Sequence, residues 1–458
     1  MSLYTLKKLP DSKDSTNQVR LPQVLYEELS HYNQISLGTE ICNCEMKQTK
    51  EFQTIYVSST IWERLSIPYE SKVHVIPHDG ILHIGPLVGI FTAGFTGSII
   101  RPIGDRTLFF AKLLSTEKKV GAFTFVFGAN HINWETGRIE GLFHSTDGWK
   151  QIEVPFPNVV YDRLPNRKTE NHNILKSIKN KLQHEYLIPW FNPGFFNKWE
   201  IHQIFSTYPE VSGFLPETVL NPTLDSIKDL FSKFNSIYIK PINGSLGLGI
   251  HQVIKATDED EWYCRFRKDE KNYLRKYKTL ESLLRHQFQK EALEGFIAQQ
   301  GIPLFRVEDK PIDFRIHTNK DETGVWKMSA IAAKIAGIGS VTTHLGSGGI
   351  VKTVDEIKKL IPVPFNIVEK LEEVVLAMSH ILEKEIAGTI GEIGYDMGID
   401  KNGQIWLFEA NSKPGRSIFK HPKLKDYDQL SRSLPISFAL YLTKRSIYEP
   451  EVLFHENK

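Results

Sequence analysis

The residues best placed to do chemistry lie between positions 391 and 415, in the segment GEIGYDMGIDKNGQIWLFEANSKPG. Asn402-Gly403 separates two apolar runs, a pattern that predicts a two-residue turn between antiparallel strands. With that turn, the register places the Asp396 side chain directly opposite Glu409. Like charges on facing residues repel, so this pair needs a cation or a shared proton between its carboxylates.

The neighbouring donors indicate which cation would suit the pair. Period-two alternation places the Asn411 amide on the same strand face as Glu409. Hard oxygen donors without a nearby Cys or His triad favour Mg²⁺ or Mn²⁺ over zinc. A solvated strand face that carries acidic residues is the competing interpretation, and the carboxylates alone do not decide between the two.

A glycine-rich loop, NGSLGLGI at 243–250, follows the strand-like run SIYIKP, which contains Lys240. Such a loop can fold over phosphates and offer backbone N–H groups at close range, with the lysine as a point charge. It matches neither a Walker A motif nor a dinucleotide fingerprint, because a helix would have to follow each of them. A plain glycine turn is the alternative.

Further cations lie in apolar or turn contexts. In PIDFRIHTN, Asp313, Arg315 and His317 alternate along one face of a predicted strand. Lys334 follows the small apolar run SAIAA and precedes another glycine loop at 342–349. Surface ion pairs are the alternative for each residue. Their recurrence beside glycine loops and paired acids favours one site that holds both signs of charge.

Three segments are predicted to position these residues. Residues 1–85 alternate short Val/Ile/Tyr-rich runs with turn residues, which indicates a β-rich domain. Residues 86–170 separate apolar runs by a Lys-rich stretch, as in a small α/β unit. Residues 171–458 mix strands with helices, and the apolar spacing over 365–386 predicts a core-packing helix.

The overall composition excludes several classes of partner. Lys and Arg number 56 against 54 Asp and Glu, so no global field attracts nucleic acid or an anionic membrane. Cys42, Cys44 and Cys264 cannot form a disulfide framework, and no signal peptide is visible, which indicates a reducing, cytoplasmic compartment. The uncharged stretch at 80–100 contains five glycines and Pro86, so buried strands are predicted there and not a membrane span.

The order of the motifs resembles the ATP-grasp superfamily, and more closely its YheC/YheD-type endospore-coat-associated family, from about residue 85 to the C-terminus. The motifs that carry the resemblance are FNKWEIHQIFS (196–206), YIKPINGSLGLGI (238–250), FIAQQGI (296–302), PIDFRIHTN (311–319), AAKIAG…THLGSGG (332–349) and GEIGYDMGID…WLFEANSKPGRS (391–417). The resemblance implies an α/β protein with an α+β ATP-grasp fold at 171–458, a small pre-ATP-grasp α/β domain at 86–170 and the β-rich domain in front of them.

The resemblance also implies a nucleotide site, with two lysines on the phosphates, a glycine flap over them and a hinge that reads adenine. The implied cofactor-binding residues are Lys198, Lys240, Gly244, Ser245, Gly247, Gly249, Gln299, Gln300 and Ile302. Gln299 departs from the acidic residue usual at the hinge, which leaves adenine readout to backbone groups.

The remaining implied roles concern the reacting groups. Arg315 and Lys334 resemble the catalytic cations beside the γ-phosphate and the acyl-phosphate intermediate. The implied ligands of Mg²⁺, or Mn²⁺, are Asp396, Glu409 and Asn411, in agreement with the register argument above. The substrate-side candidates are His344, Gly348, Gly349 and Arg416.

The resemblance thus implies an ATP- and Mg²⁺-dependent carboxylate–amine ligase that works through an acyl phosphate. Its expected partners are ATP, a carboxylate-bearing small molecule or peptide, an amine acceptor and spore-coat proteins, without nucleic acid or a membrane span, and its expected location is the cytoplasm or the spore coat. One alternative is a structural coat-associated protein that binds ATP without ligation. Another is phosphate transfer to a carboxylate or hydroxyl group without ligation.

Residues 265–290 carry nine Lys or Arg against three acids, with aromatic residues interleaved. The favoured interpretation is an inserted helical surface beside the ATP site. A nucleic-acid groove is the competing interpretation, and an anionic substrate such as an acidic peptide or a cell-wall fragment also suits the segment.

Overall fold

The computed structural model describes residues 3–10, 17–244, 247–256, 261–288, 293–343, 345–361 and 366–455. Within these ranges, four β-sheets follow one another along the sequence, and we number these sheets in that order. Two of the predicted site residues, Ser245 and His344, lie outside the described residues. No helix in the described ranges has the length and apolar character to cross a membrane.

The first sheet takes all of its strands from residues 4–85, and apolar side chains such as Leu6, Ile35 and Ile55 form its fully buried core. Its elements are β1 (Tyr4–Lys8), β2 (Gln18–Pro22), α1 (Gln23–Leu29), β3 (Gln34–Leu37), β4 (Glu40–Asn43), β5 (Glu45–Thr49), β6 (Thr54–Val57), α2 (Ser59–Arg64), β7 (Ser71–His78) and β8 (Ile81–Gly85). The strand order is β4-β3-β8-β7-β1-β6-β2-β5.

The second sheet has a parallel centre, in which β9 pairs with β10 and with β14. Its elements are β9 (Leu87–Phe91), α3 (Thr107–Leu114), α4 (Glu117–Val120), β10 (Phe123–Phe127), β11 (Ile132–Asn133), β12 (Arg138–Ser145), β13 (Gly148–Pro155), β14 (Val159–Asp162), α5 (Arg167–Glu170), α6 (Asn173–His184) and β15 (Trp190–Phe191). Every residue of β9 is buried, as expected of a strand covered on both faces, which confirms buried strands in the uncharged stretch. The sheet extends past residue 170, and the domain borders at 85 and 170 stay predictions.

The third sheet is antiparallel, in the order β16-β21-β17-β18-β19-β20, and α9 and α10 cover one of its faces. Its elements are β16 (Thr218–Leu220), α9 (Leu224–Lys233), β17 (Ser236–Pro241), β18 (His251–Lys255), β19 (Trp262–Lys268), β20 (Lys271–Tyr277), α10 (Leu280–Phe288) and β21 (Phe296–Gln300). Helices α7 (Lys198–Ser206) and α8 (Pro209–Ser212) precede it.

The fourth sheet, in the order β25-β24-β23-β26-β27, carries most of the predicted chemistry. Its elements are β22 (Arg306–Val307), β23 (Lys310–Lys320), β24 (Trp326–Ile335), β25 (Ile350–Lys352), α11 (Val354–Lys358), α12 (Ile367–Glu385), β26 (Glu392–Ile399), β27 (Ile405–Asn411), α13 (Lys425–Tyr448) and α14 (Pro450–His455). The predicted core helix is confirmed as α12, which packs through Leu371, Val375 and Met378. Helix α13 packs on β14 of the second sheet and on β23 and β24 of the fourth.

The predicted two-residue turn between β26 and β27 is wrong. The Asp400 N–H donates to the Gln404 carbonyl at 3.0 Å, so the loop has three residues, 401–403. Gly403 ends this loop with φ +85°, a conformation that favours glycine. The side chain of Asp400 tightens the loop by accepting the Asn402 and Gln404 N–H groups at 2.8 and 3.0 Å.

The predicted pairing of Asp396 with Glu409 is nevertheless present. The longer loop displaces the register by one residue, and the pairs next to it include Ile399 with Ile405. A bulge between Asp396 and Met397 displaces the register back by one residue. The two displacements cancel, and Asn411 lies opposite Gly394 on the predicted face.

Replacing Gly403 by alanine is expected to cost about 1 kcal/mol, because a Cβ atom disfavours the left-handed conformation. Urea unfolding followed by circular dichroism measures the change. Gly213→Ala is the matched control, since Gly213 has no left-handed φ and an added Cβ would meet nothing within 4 Å. Equal urea midpoints for the two variants would contradict the predicted role of the loop.

Candidate functional site

A cavity of about 1740 Å³ lies between the third and fourth sheets. The structure brings most of the predicted site residues to its wall: Lys198, Lys240, Gly244, Gly247, Gln299, Gln300, Ile302, Arg315, Lys334, Asp396, Glu409, Asn411 and Arg416. Gly249, Gly348 and Gly349 are not part of the wall formed by the described residues. The predicted residues therefore line one cavity, although they are spread over more than 200 positions of the sequence.

Asp396 is the meeting point of two cations on the fourth sheet. Its two carboxylate oxygens lie 2.8 Å from Arg315 Nη1 and 2.8 Å from Lys334 Nζ. Lys334 Nζ also lies 3.1 Å from the carboxylate of Asp313, which accepts a hydrogen bond from the Thr343 hydroxyl. The strand register explains the cluster, because Arg315 pairs directly with Asp396, and Asp313 with Lys334.

Burial controls the titration of this cluster. It raises the pKa of Asp313, with the neighbouring Asp396 adding to the effect and Lys334 opposing it. Burial also works against the Lys334 ammonium, but Asp313 and Asp396 outweigh it and raise the pKa of Lys334. Lys334 thus stays charged between two carboxylates. His317, on the same face of β23, is fully buried against Phe419, and burial holds its pKa well below the usual range.

The other carboxylate of the hairpin, Glu409, pairs with a lysine from outside the fourth sheet. Lys198 Nζ lies 3.0 Å from Glu409 Oε1 and donates to the Gly244 carbonyl at 2.6 Å. Lys198 is the first residue of α7, where the Asn197 side chain caps the helix by accepting the Trp199 and Glu200 N–H groups. The cap fixes the end of the helix from which Lys198 reaches the glycine loop.

Lys240 lies in the third sheet on the opposite wall and has no acidic partner among the described residues. Its ammonium donates to the Gln299 side-chain oxygen at 2.7 Å and to the Phe408 carbonyl at 3.3 Å. Burial and the nearby charge of Lys198 lower the pKa of Lys240 to about 8. Gln299 also donates to Thr218 Oγ1 at 3.0 Å, so its amide positions Lys240 and is not directed at a ligand.

The residues expected to bind Mg²⁺ lie among these ion pairs. The repulsion between the Asp396 and Glu409 carboxylates is already relieved by lysine and arginine, so the pairing alone does not require a metal. Within the described ranges, no group of three or more His, Cys, Asp or Glu residues is arranged to hold one. Asp396, Glu409 and Asn411 still offer hard oxygens to the cavity, which fits an Mg²⁺ that completes its shell with phosphate and water.

Arg416, a predicted substrate residue, is held by the protein at the edge of the cavity. Its guanidinium lies 2.7 Å from a carboxylate oxygen of the fully buried Glu392 and donates to the Ser431 hydroxyl at 2.7 Å. Arg163 binds the other oxygen of Glu392 at 2.9 Å. Arg416 thus links the fourth sheet to α13 and to the strand end of β14.

Among the residues of the cavity that sequence reasoning missed, Arg167 and Lys413 make the contacts that bear most on the site. Arg167, at the start of α5, donates to the Asn243 carbonyl beside the glycine loop at 3.2 Å. Lys413, within the NSKPG motif, pairs with Asp162 at 2.6 Å and with Glu170 at 3.1 Å. The motif is a signal for Lys413, whereas Arg167 lies in the polar segment NRKTENHN (166–173), which contains no recognisable motif.

Asp396→Asn is expected to lower the free energy of unfolding by about 3 kcal/mol at pH 7, because two buried cations lose their shared carboxylate. Urea unfolding measures the change. Glu153→Gln, on an exposed position of β13, makes the same carboxylate-to-amide change and is expected to stay within about 0.5 kcal/mol of the parent. Similar losses in both variants would show that the Asp396 ion pairs do not stabilise the fourth sheet.

Two proteins of Bacillus subtilis are similar in sequence to this chain. Endospore coat-associated protein YheD of Bacillus subtilis (strain 168) is 44% identical over 446 residues, which cover 96% of this chain and 97% of that protein. Endospore coat-associated protein YheC of the same organism is 23% identical over 323 residues, or 68% of this chain and 85% of its own length.

Among solved structures, a D-alanine–D-alanine ligase from Bacillus anthracis matches this chain with a TM-score of 0.45 and 14% identity, over 79% of this chain and 99% of that one. VanG D-Ala:D-Ser ligase from Enterococcus faecalis has a TM-score of 0.43 and 12% identity, over 81% of this chain and 99% of that one. The family model described as "YheC/D like ATP-grasp" matches residues 187–442. The chain, with its α+β ATP-grasp fold, therefore belongs to the YheC/D-like ATP-grasp family.

Proposed function

We propose that this protein is an ATP- and Mg²⁺-dependent carboxylate–amine ligase that works through an acyl phosphate. The observation that carries the proposal is the convergence of Lys198, Lys240, Arg315 and Lys334 on one cavity of an ATP-grasp fold. Phosphoryl transfer needs little covalent help from the protein, but its charges must be neutralised and its reacting oxygens placed in line. Cations on both walls of the cavity suit that task.

In the proposed reaction, a substrate carboxylate oxygen attacks the γ-phosphorus of ATP. The bond from that phosphorus to the bridging oxygen breaks, and ADP leaves. An amine then attacks the acyl carbon of the acyl phosphate, phosphate departs with the C–O bond pair, and the amine loses a proton as the amide forms. The reaction requires no side-chain nucleophile.

Each cation has a proposed place in this reaction. Lys198 and Lys240 bind the phosphates beneath the glycine loop, and Arg315 and Lys334 face the transferred phosphoryl group. Charges fixed where negative charge develops stabilise the transition state, and removing one such group costs on the order of 10²-fold in rate. Mg²⁺, when held by Asp396, Glu409 and Asn411, would supply further neutralisation of the phosphates.

The ion pairs of the free protein indicate how charge partners would change when ATP binds. Lys198 is paired with Glu409, and Arg315 and Lys334 with Asp396, before any phosphate is bound. Phosphates would take over these cations, and the released carboxylates would then become available to the metal. The cavity thus exchanges one set of charge partners for another, which avoids burying an unpaired charge at either stage.

A coat-associated binding protein without ligase activity is the second candidate function. The observation that favours it is the similarity, over nearly the whole chain, to a protein named as endospore coat-associated. We propose association with the spore coat under either function. The two candidates share nucleotide binding and differ in whether an acyl phosphate forms.

ATP with Mg²⁺ is expected to raise the thermal midpoint of the full chain, with a stabilisation of about 2.7 kcal/mol at one hundred times Kd. Lys240→Met is expected to remove most of this shift, because it deletes a buried phosphate-facing charge. Lys72→Met, at an exposed position of β7, is the control and should keep the shift. No shift in the parent protein would contradict both candidate functions.

Trapping with hydroxylamine tests the chemical step. Incubation with ATP, Mg²⁺ and a pool of carboxylates is expected to yield a hydroxamate and ADP, and the yield should fall about 10²-fold in Lys334→Met. Nucleotide binding without any hydroxamate would favour the coat-associated binding protein. Hydroxamate formation that no amine diminishes would favour phosphate transfer without ligation.

Nucleotide binding is expected to take up protons near pH 8. Bound phosphates favour the charged form of Lys240, so they should raise its pKa from about 8 toward the usual 10.5. About half a proton should be taken up at pH 8 and about a tenth at pH 7. Calorimetry in buffers of different ionisation enthalpy measures the number of protons taken up on binding. The contribution of Lys240 is the difference between the parent and Lys240→Arg, whose guanidinium stays charged. An uptake equal in both proteins would exclude Lys240 as its source.

A further inference from the structure

The cavity wall is far more positive than the chain as a whole. Thirteen Lys or Arg residues and five Asp or Glu residues line it, whereas the net charge of the protein is +2. Nine cations remain against the five acids when the four that are paired with acids outside the wall are set aside: Lys233, Lys310, Lys413 and Arg416. ATP carries about four negative charges, and the metal ions that accompany it offset them. The nucleotide therefore does not account for the excess of cations, and a second anionic ligand would.

The hairpin of β19 and β20 brings part of this charge to the mouth of the cavity. The helical surface expected for residues 265–290 is wrong in its first half, which forms this hairpin, and right in its second half, which forms α10. One face of the hairpin carries Cys264 and Phe266, which are buried against α9 and α10. The aromatic residues of the segment thus belong to the core.

The opposite face of the hairpin is directed toward the cavity. Arg265 lines the cavity, and Arg267, two positions along, donates to the Ser347 hydroxyl of the facing loop. The amide of Asn272, the strand partner of Arg267, donates to the Ile338 carbonyl in the same loop at 3.3 Å. The hairpin and the loop therefore form two sides of an opening that leads into the proposed site.

Apolar side chains accompany these arginines. Leu274, the strand partner of Arg265, is 57% exposed, and Ile338 is 86% exposed. Neither arginine forms an ion pair with any residue in the described part of the chain. We name the surface formed by Arg265, Arg267, Leu274 and Ile338 the basic rim.

We propose that the basic rim binds an acidic peptide segment, whose carboxylate is presented to the ATP site; this second part rests on the proposed function. Guanidinium groups match carboxylates in a bidentate geometry, and exposed Leu274 and Ile338 suit the apolar side chains of a peptide. Single-stranded nucleic acid would instead need exposed aromatic rings for stacking, whereas Phe266 is buried and Tyr273 packs against the core. A chain of Asp or Glu residues supplies both the anchoring charges and a reactive carboxylate.

The test measures the binding of fluorescein-labelled hexaglutamate to the full-length protein by fluorescence anisotropy at low salt. Arg265→Gln with Arg267→Gln is expected to weaken binding about tenfold, because two charge-assisted contacts are lost. Arg265→Lys with Arg267→Lys retains the charges but loses the bidentate geometry, so its affinity should lie between that of the parent and that of the Gln pair. Arg20→Gln with Arg285→Gln removes the same charge at exposed positions away from the rim and should stay within about threefold of the parent.

Absence of hexaglutamate binding by the parent protein, or equal weakening in the two Gln pairs, would overturn the proposal. Tighter rim-dependent binding of a six-nucleotide oligothymidylate would overturn it in favour of nucleic acid. The thermal shift with ATP and Mg²⁺, measured on the same samples, reports on the proposed function separately. If the parent protein binds hexaglutamate through the basic rim but shows no thermal shift with ATP and Mg²⁺, the result would refute the proposed ligase function and support the peptide-binding surface.

Discussion

The carboxylate of Asp396 is the interaction on which the site depends. Three strands of the fourth sheet meet there, because Arg315 on β23 and Lys334 on β24 both reach the carboxylate that β26 supplies. Two cations at this distance would repel each other strongly in a low-dielectric cavity without an anion between them. Asp313, on the far side of Lys334, completes an alternation of charges across the sheet. The sheet can therefore hold cations toward the cavity without leaving any of them unpaired.

This alternation also suits the proposed nucleotide site, which would have to accept a highly charged ligand. A preorganised wall of paired charges needs little rearrangement when phosphates replace carboxylates as partners, which is the condition for strong electrostatic stabilisation. Lys240 differs from its neighbours, since a glutamine amide and a carbonyl hold it in place of a carboxylate. Burial and the charge of Lys198 lower the pKa of this ammonium to about 8, so Lys240 gives up its proton more readily than Lys334, which has carboxylate partners.

The sequence predicts the pairing of the acidic strands better than it predicts their surroundings. The pairing of Asp396 with Glu409 is correct although the turn is not, because period-two alternation fixes the face and a bulge corrects the register. A bulge has no marker in the sequence pattern here. The approach of Arg167 to the glycine loop depends on how the second sheet docks, and no local pattern encodes that. Similarly, the number of charged residues in 265–290 does not reveal which face of the β19–β20 hairpin packs against the core.

The position of α13 in the chain has a consequence for synthesis. This helix covers strands of both the second and the fourth sheets, and its Ser431 holds Arg416 beside Glu392. Every strand that it covers is translated before it. A nascent chain on the ribosome can therefore complete the four sheets while the edge of the cavity still lacks its support, and that edge is finished only when α13 emerges.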